Sequence, residues 1–469
     1  MRKKLLSVLL CTAMAATMLT GCGGGNGNSS SSSDNKKSES NSSSKSEAVA
    51  TDDGKVFNIR VWNTEFKERV EEFYPDYEKV DENTGKIGDV QVNWVTVANK
   101  DNAYQNALDE ALKKQADASA DDKVDMFLVE ADYAAKYTEG SYALDLINDL
   151  GISEDTLANQ FKYTQEIVKD SNGALKGASW QGTPAGLVYR SDIAKKVFGS
   201  DDPEKIQAEF SDWDKFAASA AKLKDAGYKV TATTNDTFRV FSNNVTSKWV
   251  EDGKINIDEQ MKKWVDMSKE MVDKGQTTTE PLWESEWQKG FDSKGDVFAY
   301  FGPSWFFDFS MADRDDNGVP RYDLAKDGMW RLCAGPQSFY WGGTWLCAAN
   351  GTDNKTLVKT MIETMTANEE VMTAIAKGKT EYVNNQNVVD ALANDDKFGS
   401  EVLGGQNPVP LFNEGVSKID LSNLTKYDQG CTEEFQTAMK EYFDGNVSYD
   451  EALAAFYKAV ETKYPELSH

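Results

Sequence analysis

Histidine is almost missing. Of 469 residues only one is His, and it is the last, His469. A Ser-His-Asp triad or a histidine general base therefore has no candidate within the body of the chain, and neither has a metal site built on imidazole. Cysteine is scarce too: Cys11 and Cys22 fall near the N-terminus, which leaves Cys333, Cys347 and Cys431. With no CxxC and no Cys/His spacing, neither zinc nor a dense disulfide framework is expected. Cys333 and Cys347 have two readings, a pair across neighbouring strands or two small buried apolar side chains. Past residue 20 no apolar run is long enough to cross a bilayer, which takes about 20 residues. Positive charge is in deficit: 51 Lys and Arg against 77 Asp and Glu give −26, and losing Arg2, Lys3 and Lys4 with a leader takes this to −29. Nucleic acid and anionic membrane surfaces call for basic patches, so neither is an expected partner. No cofactor is expected.

What is present begins with an address. Arg2, Lys3 and Lys4 precede Leu5 to Thr20, a stretch without charge and dotted with small residues. That is the pattern of a signal peptide over residues 1–21. Leu19-Thr20-Gly21-Cys22 resembles the lipobox of bacterial lipoproteins, which implies a lipid on Cys22 and an anchor in the cell membrane. Residues 22–54 are rich in Gly, Ser and Asn. Such a segment cannot bury enough surface to offset the entropy of ordering, and it reads as a flexible tether.

From residue 55 the pattern is α/β. Val56 to Trp62, Val90 to Val97 and Val124 to Val129 read as strands, separated by helices that start near Thr64 and Asp101. Strands alternating with helices indicate a sheet covered on both faces. A second α/β stretch follows, with strands ending at Tyr189, covering Tyr228 to Thr233 and covering Asp296 to Phe301. Ser211 is expected to cap the helix Asp212 to Ala226, and Ser448 with Glu451 to form a capping box for the last helix. Residues 330–348 read as two strands around a Gly-rich turn. Asp313 to Gly318 begins like a calcium loop, but Leu324 stands where a bidentate glutamate belongs, so a plain acidic turn is expected and no metal.

The order of these pieces resembles the family 1 extracellular solute-binding proteins, the maltodextrin-binding-like group, over residues 55–469. The resemblance rests on Val61-Trp62-Asn63-Thr64-Glu65-Phe66, Asp125 to Tyr133, Leu187 to Asp192, Phe301-Gly302-Pro303-Ser304-Trp305 and Tyr340-Trp341-Gly342-Gly343-Thr344-Trp345. It implies a two-lobed fold of the periplasmic-binding-protein type (type II), each lobe a mostly parallel sheet flanked by helices. The implied crossings fall near Gly182–Val188, Tyr340–Leu346 and Gly404–Pro410. Lobe one is then 55–183 plus 347–405, and lobe two 188–340 plus 408–469. It also implies a monomer that hands its ligand to an ABC transporter permease.

The aromatic content suggests a sugar, because a ring offers a flat apolar face at small entropic cost while carboxylates and amides accept and donate to hydroxyls. Ligands of open α/β sheets lie beyond the carboxyl ends of the strands. Candidates there are Trp62, Asn63, Glu65, Phe66, Glu130 and Asp132. Phe66 is equally readable as core, and Glu130 and Asp132 as acids at a helix N-terminus. Trp180, beside the first crossing, and Phe412, after Pro410, join them with packing as the alternative. Trp283, Trp305, Trp341 and Trp345 complete the set; one of the last two is expected to face the cleft and the other to pack. The function expected is capture of an oligosaccharide for import. The alternatives are an enzyme working with two carboxylates and a carrier of a peptide or polyamine.

Overall fold

The computed structural model describes residues 51–469 except 316 and 317. The expected signal peptide, the lipidated Cys22 and nearly all of the tether lie outside the described residues. The body begins earlier than residue 55. Thr51 N donates to Thr352 O at 2.9 Å and Gly54 N to Asp353 O at 2.7 Å, so residues 51–54 are already docked. Gly54 is needed there, since a Cβ would lie 2.3 Å from the Asn354 amide.

The first sheet has seven strands: β1 Val56–Val61, β2 Tyr77–Lys79, β3 Thr84–Ile87, β4 Val90–Thr96, β5 Met126–Glu130, β6 Ala178–Ser179 and β14 Thr344–Ala348. Their order is β2-β3-β4-β1-β5-β14-β6. β1 runs parallel to β4 and β5, while β14 runs antiparallel to β5 and β6. The apolar run of β5 is buried from Met126 to Val129, as befits a strand covered on both faces.

The second sheet contains β7 Pro184–Arg190, β8 Lys229–Thr231, β11 Val297–Pro303, β12 Trp330–Cys333 and β13 Phe339–Tyr340. A separate hairpin is formed by β9 Val250–Glu251 and β10 Lys254–Ile255. β7 and β11 are buried along their whole length. Only β8 and β11 pair in parallel; β7 meets β11, β12 and β13 antiparallel.

The stretch 330–348 thus holds three short strands, not two, and they belong to different sheets. Cys333 ends β12 in the second sheet and Cys347 lies on β14 in the first; both are buried and free, so the possible pair does not form. The chain passes from the first sheet to the second between β6 and β7, and back between β13 and β14. The stretch 402–406 already lies against β12, with Trp330 N donating to Val402 O and Leu332 N to the Gln406 side chain. The return to the second sheet therefore precedes Gly404.

Local signals explain the helix ends. Asp212, not Ser211, caps the helix Trp213–Asp225 by accepting from Lys215 N, and the Ser211 hydroxyl donates to Asp212. The carboxylate wins because it accepts more strongly than a hydroxyl. Ser448 and Glu451 form the capping box. The helices Glu259–Asp273, Asp428–Phe443 and Tyr449–Lys463 bury Trp264, Phe435 and Phe456 in a second apolar cluster beside the main core.

Candidate binding site

The parallel pairing of β1 with β5 sets their carboxyl ends side by side. Directly after them come Trp62 and Asn63 from one strand, and Glu130 and Asp132 from the other. Each loop is fixed by its own side chain. Asn63 Oδ1 accepts from Glu65 N at 3.1 Å, and Glu130 Oε2 accepts from Asp132 N at 2.8 Å. The Trp62 ring rests edge-on against Tyr104 and Tyr133, with centroids 5.6 and 6.2 Å away.

The facing wall comes from the second sheet. β11 delivers Trp305, whose indole N–H donates to Trp341 O at 3.1 Å. Its ring meets Trp341 at 5.3 Å in a T-shaped contact and Trp283 at 6.3 Å, inclined 25°. Trp283 is 44% exposed and stands at φ +72, a left-handed conformation unusual for a bulky residue.

The crossing between β13 and β14 forms the floor. Gly342 and Gly343 have φ of +68 and +107. A Cβ on Gly342 would lie 3.4 Å from Glu130 Oε1 and 3.6 Å from the Trp305 ring, in the space between the two walls. Gln181 ties the floor to the first wall: it accepts from Thr344 N at 3.1 Å and donates to Glu65 at 2.9 Å.

These surfaces enclose a cavity of about 760 Å³. At its side Arg239, from the helix Asn235–Ser242, makes a two-pronged ion pair with Asp132, one bond of 2.6 Å and a second to the other oxygen. The guanidinium lies 5.9 Å over the Trp341 ring. A larger cavity of about 920 Å³ lies beyond this pair and shares Asp132, Arg239 and Gln429. Of the twelve tryptophans it touches only Trp249, which is 6% exposed. The smaller cavity has both the strand ends and the exposed rings, so it is the better candidate.

Electrostatics set this site apart. Burial, and then the neighbouring Asp132, push the Glu130 carboxyl up to about 8, against the pull of Arg239. Burial and Glu381 raise Glu65 to about 7, although Arg69 opposes them. Burial alone would lower the Arg239 guanidinium, but Asp132 holds it above its ordinary value. No group of three or more His, Cys, Asp or Glu placed to hold a metal occurs among the described residues.

Residues 77–399 match the family described as bacterial extracellular solute-binding protein. The chain belongs to that family. No curated protein matches it at the sequence level. Solved structures give the same fold to this solute-binding protein. One is an extracellular solute-binding protein family 1 structure, 17% identical, with a TM-score of 0.68, covering 86% of this chain and 99% of its own. Another is the ABC transporter associated binding protein of B. animalis subsp. lactis Bl-04 in complex with beta-1,6-galactobiose. It is 16% identical with a TM-score of 0.67, covering 89% and 99%. A third is the galacto-N-biose-/lacto-N-biose I-binding protein of Bifidobacterium longum in complex with lacto-N-biose, 14% identical with a TM-score of 0.64, covering 89% and 100%. At such identities the likeness concerns the two-lobed α/β fold.

Of the residues singled out by sequence, the solute-binding protein gathers Trp62, Asn63, Glu65, Glu130, Asp132, Trp283, Trp305 and Trp341 around the one cavity. Four others do not reach it. Phe66 is 1% exposed and packs on Trp94 and Trp180. Trp180 is fully buried, its indole donating to Glu381 at 3.1 Å. Trp345 is buried and donates to Thr164 O at 2.7 Å. Phe412 is buried against Phe307 and Tyr382. Each finds a core partner instead. Between Trp341 and Trp345 it is thus Trp341 that lines the cavity. Sequence reasoning missed Arg239, Tyr133, Phe309 and Gln429 on the lining. Only Tyr133 carried a signal, since it falls within the strand-end segment Asp125 to Tyr133.

Proposed function

We propose that this solute-binding protein captures an oligosaccharide in the 760 Å³ cavity and passes it to an ABC transporter permease. One observation carries the reading: three tryptophan rings face a wall of carboxylates and amides across a single cavity. A pyranose has an apolar face for the rings and a hydroxyl rim for the polar wall. The sugars held by structures of the same fold support it. The lobes are proposed as 51–183 with a segment from 347 to about 400, and 188–340 with the C-terminal part. Glycines at the crossing allow a hinge between them. Anchoring through a lipid on Cys22, following signal-peptide removal, places the body outside the cytoplasm as a monomer. An enzyme with two carboxylates is disfavoured by the family match, which is to solute-binding proteins.

A thermal-shift screen of the purified protein against oligosaccharides tests the reading, with amino acids, peptides and polyamines as controls. A ligand at a hundred times its Kd stabilises the native state by about 2.7 kcal/mol. The expected result is a shift with one class of glycan, recovered intact. A shift only with a control class overturns the carbohydrate assignment, and a cleaved glycan overturns the assignment as a carrier.

A further inference from the structure

The lining of the cavity is uneven in charge. It contains six carboxylates, from Glu65, Asp101, Glu130, Asp132, Glu433 and Glu434, and one cation, Arg239. Arg239 is committed to Asp132. Glu65 has Arg69 at 3.9 Å and Glu433 has Lys463 at 2.8 Å. Asp101, Glu130 and Glu434 form no ion pair among the described residues.

Glu130 stands out among these three. It lies at the end of a central strand, across from Trp305 and next to Gly342. Its Oε2 is used by Asp132 N, whereas Oε1 accepts no hydrogen bond from any described residue. The one cationic donor and two of the neutral ones are already engaged. The Gln181 amide serves Glu65 and Glu381, the Trp305 indole serves Trp341, and Arg239 serves Asp132.

We infer that the cavity selects glycans by charge, favouring one that carries a protonated amine at Glu130 and refusing uronic-acid or phosphorylated ones. This rests on the carbohydrate reading above and narrows it. An ammonium brings three donors and no acceptor, and beside the Trp305 and Trp341 faces it gains a cation–π attraction. A uronate brings only acceptors and a charge of the sign already in excess. Burial already holds the Glu130 carboxyl largely protonated near neutral pH. A cation at Oε1 would draw it to ionise, whereas a second anion meets no free cation.

The experiment is a printed array of free-amine glucosamine oligomers, their N-acetylated counterparts and uronic-acid oligomers of matched linkage. It is probed with the wild-type protein and with Glu130→Gln, a near-isosteric change. For the wild type the free-amine glycans should bind about tenfold tighter than the acetylated ones, and the uronic-acid glycans about tenfold weaker or worse, each factor of ten being about 1.4 kcal/mol. In Glu130→Gln the free-amine ratio should move toward one. Wild-type binding of uronic-acid glycans as tight as that of their neutral counterparts overturns the inference, whatever the variant does. An unchanged free-amine ratio in a folded Glu130→Gln protein overturns the role of Glu130. An array with no binding at all overturns the inference, while the carbohydrate reading stands or falls with the thermal-shift screen.

Discussion

The two walls of the cavity are made of different chemistry, and each follows from its sheet. The first sheet presents the ends of two parallel strands, where Asn63, Glu65, Glu130 and Asp132 hold one another in fixed polar loops. The second presents the end of β11 and the crossing after β13, where Trp283, Trp305 and Trp341 pack ring against ring. The polar wall fixes orientation through hydrogen bonds whose partners must match. The aromatic wall supplies area that tolerates many ligands of similar shape. Affinity should therefore reside chiefly in the second wall, and selectivity in the first. The same comparison separates a ring on the wall from a ring in the core, which differ in the property they control.

Trp180→Ala gives the largest expected effect and is the reference for a core ring. It should lower stability by about 3–5 kcal/mol, seen as a fall in urea midpoint. Trp305→Ala should do the reverse, costing binding about 2–3 kcal/mol, some hundredfold in Kd by titration calorimetry, with the melting temperature nearly kept. Equal affinity or global unfolding of Trp305→Ala would erase the distinction between wall and core.

The ion pair that joins the walls comes next. Arg239→Gln, Asp132→Asn and the double variant form a cycle, and a coupling of about 1–3 kcal/mol in glycan affinity is expected. Additive losses would mean that the pair bridges the walls without contributing to capture. A pH series follows. Glu130 and Glu65 ionise in the unfolded chain at their ordinary values near 4.5, but only at about 8 and about 7 when folded. Between those limits unfolding releases protons, so stability should decline as pH rises from about 4.5 to 8. Glu130→Gln should flatten that decline, read as the slope of melting temperature against pH. The smallest effect expected is for Trp283→Gly. Removing a left-handed non-glycine residue should raise stability by up to about 1 kcal/mol while affinity falls.

Much of this was readable from the chain. Trp62, Asn63, Glu130 and Asp132 follow apolar strands directly, and in a parallel arrangement strand ends become site residues by geometry alone. Trp305 follows β11 in the same way. The buried tryptophans were not readable, because a ring at a strand end can turn either way, and distant residues decide which. Glu381 receives the Trp180 indole and the Thr164 carbonyl that of Trp345. Neither partner is within a hundred residues of its tryptophan. Arg239 and Gln429 were hidden for the same reason. They come from helices whose place at the cavity depends on how the second sheet and the C-terminal helices pack. The mixed pairing of the second sheet was also hidden, since a short buried strand reads alike in either direction.

The most direct measurement is a crystal structure with the glycan that gives the largest thermal shift. The account predicts electron density for the sugar between Trp305 and Glu130, with a pyranose face on the Trp305 ring. Density confined to the 920 Å³ cavity beyond Arg239 and Asp132, with the tryptophan wall empty, would contradict it.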